Sequence, residues 1–446
     1  MSAGASARAL YTVLLHALAP IYRMRLWWRG RAEPLYRQGV GERFGRYRGA
    51  AVAGAVWIHA VSLGETRAAA ALIEALRERR PGVRLLLTHG TATGRAAGAA
   101  LLRDHDAQTW LPYDTPGAVR RFFAHWRPRL GVLMETEVWP NLLHGAQRHG
   151  VAVLLGNARL SAKSLARGLR FGVLLRPAAV AFTRVLAQTE ADATRLRAAG
   201  APRVDVMGNL KFDVTPHAPL LARGVQWAAA GGRAVVLAAV TRAGEEAGLL
   251  DAWARVPAPR PRLLLVPRHP QRFDEVAALV ERAGLTLSRR SGWPTDLPDG
   301  PALQADVWLG DSLGEMPAYY AAARVALLGG SFAPLGGHNL IEAAACGCPL
   351  LMGPHTFNFA AAAELSLAAG ASERVAGIEE GVMRAVALAS DDPLRAQMRA
   401  GALGFAAAHR GAARRLADAV LEALEALDAQ PAASARATSD TSAGPR

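Results

Sequence analysis

The chain has 446 residues, 51% of them apolar, and carries a formal net charge of +15. One hydrophobic core rarely organises that length, so two domains are expected, and the even spread of Gly, Pro and charge excludes a fibrous or wholly disordered chain. Cys346 and Cys348 are the only cysteines; too close for an ordinary disulfide and without a second pair, they exclude a disulfide scaffold or cysteine-type zinc site and point to a reducing compartment.

The positive charge is concentrated at the start. Residues 1–50 contain Arg8, Arg23, Arg25, Arg29, Arg31, Arg37, Arg43, Arg46 and Arg48 against Glu33 and Glu42, a net +7. Such a cluster suits a polyanion: nucleic acid, an anionic bilayer or a phosphorylated lipid. Residues 9–22 are apolar except for Thr12 and His16, a run shorter than the ~20 residues that span a bilayer as a helix. The run ends in aromatics and arginines, unlike a secretory cleavage site. Trp27 and Trp28 beside arginines suit the headgroup layer. Two readings stay open: attachment to a membrane from its cytoplasmic side, where anionic lipids hold arginines, or a helix packed on the protein itself.

From Val56 onward short apolar runs alternate with amphipathic stretches. Strands are predicted at 56–61, 83–88, 129–134, 151–155 and 185–188, with helices at 66–80 and 93–103 among those between them. The rhythm breaks at 212–232, a stretch holding Pro216, Pro219 and the pair Gly231-Gly232. It restarts with strands at 234–239, 262–266, 305–309, 325–328 and 349–352, and helices at 245–254 and 271–283. Strands that alternate with helices and are apolar on both faces imply parallel sheets covered on each side. Two α/β domains follow, with ligands expected in the crevice between them. Residues 393–428 form closing helices, and 429–446 contain no Val, Ile, Leu, Met or aromatic residue, so disorder is expected there.

Three constellations could carry chemistry. His59-Ala-Val-Ser62-Leu-Gly64-Glu65-Thr lies where a strand ends and a helix begins. Ser62 and Glu65 match a capping box, and Glu65 is equally placed to accept a proton from a substrate hydroxyl. Glu135-Thr-Glu137-Val-Trp-Pro-Asn141 follows another strand; carboxylates with a tryptophan suit sugar recognition, and acids capping the next helix are the structural alternative. In the second half, Pro267-Arg268-His269-Pro270, Gly310-Asp-Ser-Leu313-Gly314-Glu315 and the Gly-rich run from Gly329 to His338-Asn339 follow successive strands. Cationic groups, free helix-end amides and Glu342 for ribose hydroxyls together describe a nucleotide pocket. Asp104-His-Asp106 has the form of a metal-holding pair but falls at a helix end, where a solvated loop is the simpler reading.

These segments resemble the bacterial 3-deoxy-D-manno-octulosonic acid (Kdo) transferases that act on the lipid A precursor. The resemblance runs through Arg25-Leu-Trp-Trp-Arg-Gly, Gly41-Glu-Arg-Phe-Gly, the segment 59–66, Leu111-Pro-Tyr-Asp114, 134–141, Asn157-Ala-Arg-Leu-Ser161 and Gly208-Asn-Leu-Lys-Phe-Asp213. It continues through 266–273, 310–316, 329–345 and 352–359. It implies an α/β, GT-B type glycosyltransferase: two Rossmann-like domains facing a cleft, with an N-terminal membrane-associated helix. The expected organisation is an anchor at 1–30, an acceptor domain at 31–212, a linker at 213–232, a CMP-Kdo-binding domain at 233–428 and a tail at 429–446.

The resemblance also implies Glu65 as catalytic base and CMP contacts at Pro267, Arg268, Leu313, Gly314, Glu315, Asn339, Leu340, Ile341 and Glu342. Ser62, Gly64, Glu135, Glu137, Arg242 and His338 are candidate sugar or acceptor contacts. No metal or cofactor is expected. The expected partners are CMP-Kdo, the lipid A precursor and the inner-membrane surface on its cytoplasmic side, and not nucleic acid. The chain departs from the family at Leu340, where many members have Pro, at Val240-Thr-Arg242, where relatives carry Ser-Thr-His, and at Leu313, often Met. Rival readings are a UDP-sugar transferase or epimerase of the same fold and, outside enzymes, an RNA-binding protein.

Overall fold

The computed structural model describes residues 3–48, 51–213 and 215–439. It divides into two compact units, Met1–Asp213 with Arg410–Arg446, and Val214–His409.

In the first unit, β1 (Val56–His59), β2 (Leu85–His89), β3 (Ala107–Trp110), β4 (Leu130–Met134), β5 (Ala152–Ala158), β6 (Arg184–Ala187) and β7 (Val204–Val206) form one sheet. Its order is β3-β2-β1-β4-β5-β6-β7, with all neighbours parallel. Parallel strands need crossover connections, and helices supply them on both faces. Trp57, Phe122, Phe123, Leu142 and Leu143 fill one side. Leu72 and Leu76 of helix Leu63–Arg79 fill the other, beside Ile58, Leu130 and Leu154.

The second unit repeats the plan. Strands β8 (Val235–Thr241), β9 (Arg262–Pro267), β10 (Leu287–Arg289), β11 (Val307–Leu309), β12 (Val325–Leu328), β13 (Leu350–Met352) and β14 (Ser372–Arg374) are ordered β10-β11-β9-β8-β12-β13-β14. All these neighbours are parallel as well.

Three expectations about organisation need correction. The stretch read as a linker contains helix Ala218–Gly231, packed on helix Met316–Ala322 so closely that a Cβ on Gly224 would lie 2.1 Å from the Ala318 carbonyl. Pro219 sits in the first turn, where its missing N–H costs nothing, so the proline begins the helix rather than breaking it. Residues 410–428 belong to the first unit, not the second. They lie in helix Ala412–Ser439, whose Leu416, Val420 and Leu424 complete the core beside Leu72 and Leu76. Asp213 fastens the return by accepting from the Gly411 and Ala413 amides, at 2.5 and 2.6 Å. Finally, the backbone of this Ala-rich helix runs on to Ser439, where disorder was expected; residues 440–446 of that tail lie outside the described residues.

Helix Ala3–Arg29 opens the first unit. Buried Asp114 holds it: the carboxylate accepts from the Tyr11 hydroxyl at 3.0 Å and from the Asn141 and Leu142 amides at 3.1 and 2.7 Å. The Asn141 amide nitrogen donates to Thr12 Oγ1 at 3.0 Å, and Tyr22 stacks on Tyr113 with ring centroids 4.7 Å apart. Burial pushes the Asp114 carboxyl up to about 7, against the pull of these donors.

Two outcomes follow. Leu416→Ala removes a side chain from the sealed face of the first unit and should cost ~2–5 kcal/mol in denaturant unfolding; an unchanged midpoint would contradict the packing. Because the folded state holds the Asp114 proton more tightly than the unfolded chain, wild-type stability should fall as pH rises from about 4, the unfolded carboxyl's range, to about 7. Asp114→Asn, which mimics the protonated form, should flatten that part of the stability–pH curve.

Candidate active site

In the first unit the strand order reverses between β1 and β4. At such a switch point the connections leave in opposite directions and open a crevice at the carboxyl ends of the strands. The β1 and β4 segments singled out by sequence both end there.

Ser62 caps helix Leu63–Arg79, its hydroxyl accepting from the Glu65 amide. The Glu65 carboxylate turns back: Oε2 accepts from the Val61 amide at 2.7 Å and Oε1 from the Ser62 hydroxyl at 3.2 Å. The capping box therefore forms, with the return bond one residue before the cap. Burial raises the Glu65 pKa, the Val61 amide opposes it, Glu135 and Glu137 raise it further, and His59 lowers it. The net upward direction gives a carboxylate more basic than a solvated glutamate.

Glu135 begins the turn after β4 at φ +61°, a left-handed conformation that costs ~1–3 kcal/mol for a residue with a Cβ and recurs at functional sites. Its carboxylate lies 4.0 Å from Lys211 Nζ and 3.8 Å from Arg159 Nε. Glu137 accepts from Trp139 Nε1 at 2.5 Å and lies 3.7 Å from Nε2 of buried His59. The other His59 nitrogen approaches Thr88 Oγ1 at 2.9 Å. Next to it, burial and then the neighbouring His59 push the His89 imidazole down to about 4, so it is neutral.

Lys211, Arg159 and His59 were not assigned chemistry from sequence, although all three lie in or beside the recognised segments. Lys211 sits in a 3-10 turn held by a chain of amides: Asn157 Oδ1 accepts from the Leu210 amide at 3.1 Å, Gln188 donates to the Asn157 carbonyl at 2.9 Å, and Asn209 donates to Gln188 at 3.0 Å. Only folding brings residue 211 to residue 135. Gly64 is exposed in the first turn beside Glu65. Asp106 is removed from consideration as a ligand: its carboxylate is covered, pairs with Arg77 at 2.6 Å and accepts from the Leu85 amide at 2.8 Å.

The second unit has its own switch point, between β8 and β12. Arg242 follows β8, Arg268 follows β9, and the Gly-rich loop follows β12. One buried carboxylate joins two of these turns: Glu245 accepts from the Arg242 and Gly330 amides at 2.9 and 2.7 Å, and from the Phe332 and Ala333 amides at 3.2 and 3.3 Å. The Arg268 amide donates to the Thr241 carbonyl at 2.9 Å, which ties in the third. Asn339 caps helix Leu340–Ala345, accepting from the Ile341 amide. Leu340 and Ile341 turn their side chains into the core, leaving only their backbone for a ligand, while Glu342 is half-buried near Tyr320 and Cys346.

Pro267 ends β9, and Leu313 projects outward, 76% exposed. Gly314 has φ +82°, and the Glu315 carboxylate is engaged by Arg223 at 2.9 Å and Arg290 at 3.0 Å, with the Ser312 hydroxyl close on its other oxygen. The residues selected by sequence thus fall at strand carboxyl ends: those of the first unit at its switch point, and those of the second unit after β8, β9, β11 and β12. Among the described residues no cluster of three or more His, Cys, Asp or Glu is arranged to hold a metal.

The family model described as 3-deoxy-D-manno-octulosonic-acid transferase (kdotransferase) matches residues 38–214. The 3-deoxy-D-manno-octulosonic acid transferase of Bordetella pertussis is 49% identical over 427 residues, covering 93% of this chain and 98% of that protein. That of Haemophilus influenzae is 34% identical over 360 residues, covering 79% and 83%. Among solved structures, Anabaena HepE in complex with UDP aligns with a TM-score of 0.55 at 16% identity, covering 82% of this chain and 99% of that one; at that identity the likeness speaks for the fold alone, two Rossmann-like domains of the GT-B type. Near-complete coverage at 49% identity sets aside the epimerase and RNA-binding readings, and the chain belongs to the 3-deoxy-D-manno-octulosonic acid transferase family.

Proposed function

We propose that this Kdo transferase takes Kdo from CMP-Kdo and joins it to the lipid A precursor, lipid IVA, at the cytoplasmic face of the inner membrane, with inversion and without a metal. The observation that carries the reading is Glu65: a carboxylate held by one backbone amide and one hydroxyl, with its pKa raised, at the switch point of the first sheet.

The acceptor's primary hydroxyl attacks the anomeric carbon while Glu65 takes its proton, and the bond to the CMP phosphate breaks on the opposite face. Oε2 keeps its bond to the Val61 amide, and Oε1 gives up only the weaker contact with the Ser62 hydroxyl. General-base help is worth ~10²–10⁴-fold. Glu135 beside Lys211, and Glu137 with His59, offer polar groups for the acceptor sugar or for charge developing during transfer. In the second unit Arg268 supplies positive charge for the departing phosphate. Contacts to CMP are assigned to Pro267, Arg268, the turn Leu313–Glu315 and the segment Asn339–Glu342.

Membrane attachment is supported by the first helix. Its inner face is fastened through Tyr11, Tyr22 and Leu26, whereas Leu10, Val13, Leu14, Ile21, Met24, Trp27 and Trp28 stand more than half exposed. One face of this helix packs on the protein, and the exposed face is the one the proposed attachment would use. No described helix is long and apolar enough to cross a membrane, so attachment would lie in the interface. Phe171 and Val173, exposed at the start of helix Gly172–Val180, widen the apolar surface, since that helix packs on the first.

Glu65→Gln should fold normally and bind CMP but lose transfer by two orders of magnitude or more; near-normal turnover would refute the base assignment. For the wild type, activity should decline as pH falls through the raised Glu65 pKa. Val13→Asp with Trp28→Asp, which leaves the packed face untouched, should abolish co-sedimentation with anionic vesicles at unchanged thermal stability. Retained sedimentation would rule out this face as the anchor.

A further inference from the structure

Arginines in the second unit are mostly spoken for. Arg223 and Arg290 clasp Glu315, Arg272 pairs with Glu246 and Glu275, and Arg384 pairs with Glu373. Arg242 and Arg268 differ. Among the described residues neither guanidinium donates a hydrogen bond or meets a carboxylate, yet both stand at the ends of adjacent strands β8 and β9. Two uncompensated cations held near each other repel, and a fold retains such a pair where an anion joins them.

Their placement is built. The strand pairing of β8 with β9 shifts register between Ala239 and Thr241, and Val240 in that bulge has φ +59°. A β-branched residue is strained in that conformation. The bend is locked from both sides: a Cβ on Gly329 would come within 2.4 Å of the Val240 carbonyl, and Glu245 grips the Arg242 amide together with the Gly-rich loop. Two imidazoles complete the cluster. His338 lies in that loop, its buried Nε2 without a hydrogen-bond partner. Burial, then the charges of Arg268, Arg242 and His269, push His338 down to about 4, so it stands neutral beside the two arginines. The same arginines, after burial, lower His269.

The family's sugar is a 2-ulosonic acid. Its anomeric carbon bears a carboxylate, and in a nucleotide donor the same carbon also bears the phosphate oxygen. The substrate thus brings two anions one carbon apart, and only one of them leaves with the nucleotide. We propose that Arg242 binds the sugar carboxylate while Arg268 takes the phosphate, so that the donor's two charges are read by separate strand ends. The inference rests on the assignment of CMP-Kdo as donor. It explains how the site would tell an acidic sugar from a neutral one: a neutral sugar leaves Arg242 desolvated and unpaired, which disfavours it more than a missing contact alone.

The test compares the donor with its nucleotide product on the full chain. For Arg242→Ala the KM for CMP-Kdo should rise on the order of 10- to 100-fold, the worth of a charge-assisted hydrogen bond. Affinity for CMP, which lacks the carboxylate, should stay within about twofold of wild type by calorimetry, since only a phosphate contact would lower it by the tenfold or more of a lost charged bond. Arg242→Lys should recover part of the loss. Equal losses for CMP and donor would reassign Arg242 to the phosphate and overturn the inference while leaving the donor assignment intact. An unchanged KM would overturn it as well. A wild-type chain that does not bind CMP would refute the donor assignment and this inference with it.

Discussion

A parallel sheet buried on both faces has no room for polar side chains along its strands, so polar and charged groups are pushed to the strand ends. In this protein that constraint organises both halves. Each sheet starts in its middle and is wound outward in both directions, and each reverses between two strands whose carboxyl ends carry the candidate chemistry: β1 and β4 in the first unit, β8 and β12 in the second. The reversal sets Glu65 near Glu135 and Glu137, and Arg242 near the loop that holds His338.

Buried or half-buried carboxylates do much of the fastening between elements. Asp114 joins the first helix to a helix start. Asp213 ties the returning helix into the first unit, and Glu245 gathers four amides from two turns. Each satisfies main-chain donors that a turn leaves unpaired, and a buried carboxylate is tolerated when its lone pairs are filled this way. Glu65 is built on the same principle but is less completely satisfied: one oxygen has a short amide bond and the other a long hydroxyl contact. As the proposed base, Glu65 would take its proton on that less occupied oxygen.

Affinity for charged partners is divided in a similar way. Most arginines of the second unit are neutralised by carboxylates, whereas at the ends of β8 and β9 Arg242 and Arg268 have no such partner among the described residues and are the ones proposed to meet the donor's charge. In the first helix arginines flank an apolar face, so under the proposed attachment charge and hydrophobic surface would act on one partner at once.

The βα rhythm, both sheets' central strands and the segments around Glu65, Glu135, Arg268 and His338 were legible because central strands are continuous apolar runs and their turns are polar. The four strands that escaped reading, β3, β7, β10 and β14, are the edges of the two sheets. An edge strand is covered on fewer sides, is short, and here carries residues such as Gln108, Asp205, Ser288 and Glu373, so it lacks the apolar signature. Sequence alone also determined the capping relation of Ser62 and Glu65, since those groups are three residues apart in one helix turn. Contacts between distant positions were decided by tertiary structure: Lys211 beside Glu135, the final helix returned to the first unit, and Arg242 set beside Arg268 at the ends of adjacent strands. Local spacing determines what a turn can bond to itself, whereas these partners meet only after parallel strands wind into register, and no pattern along the chain records that distance.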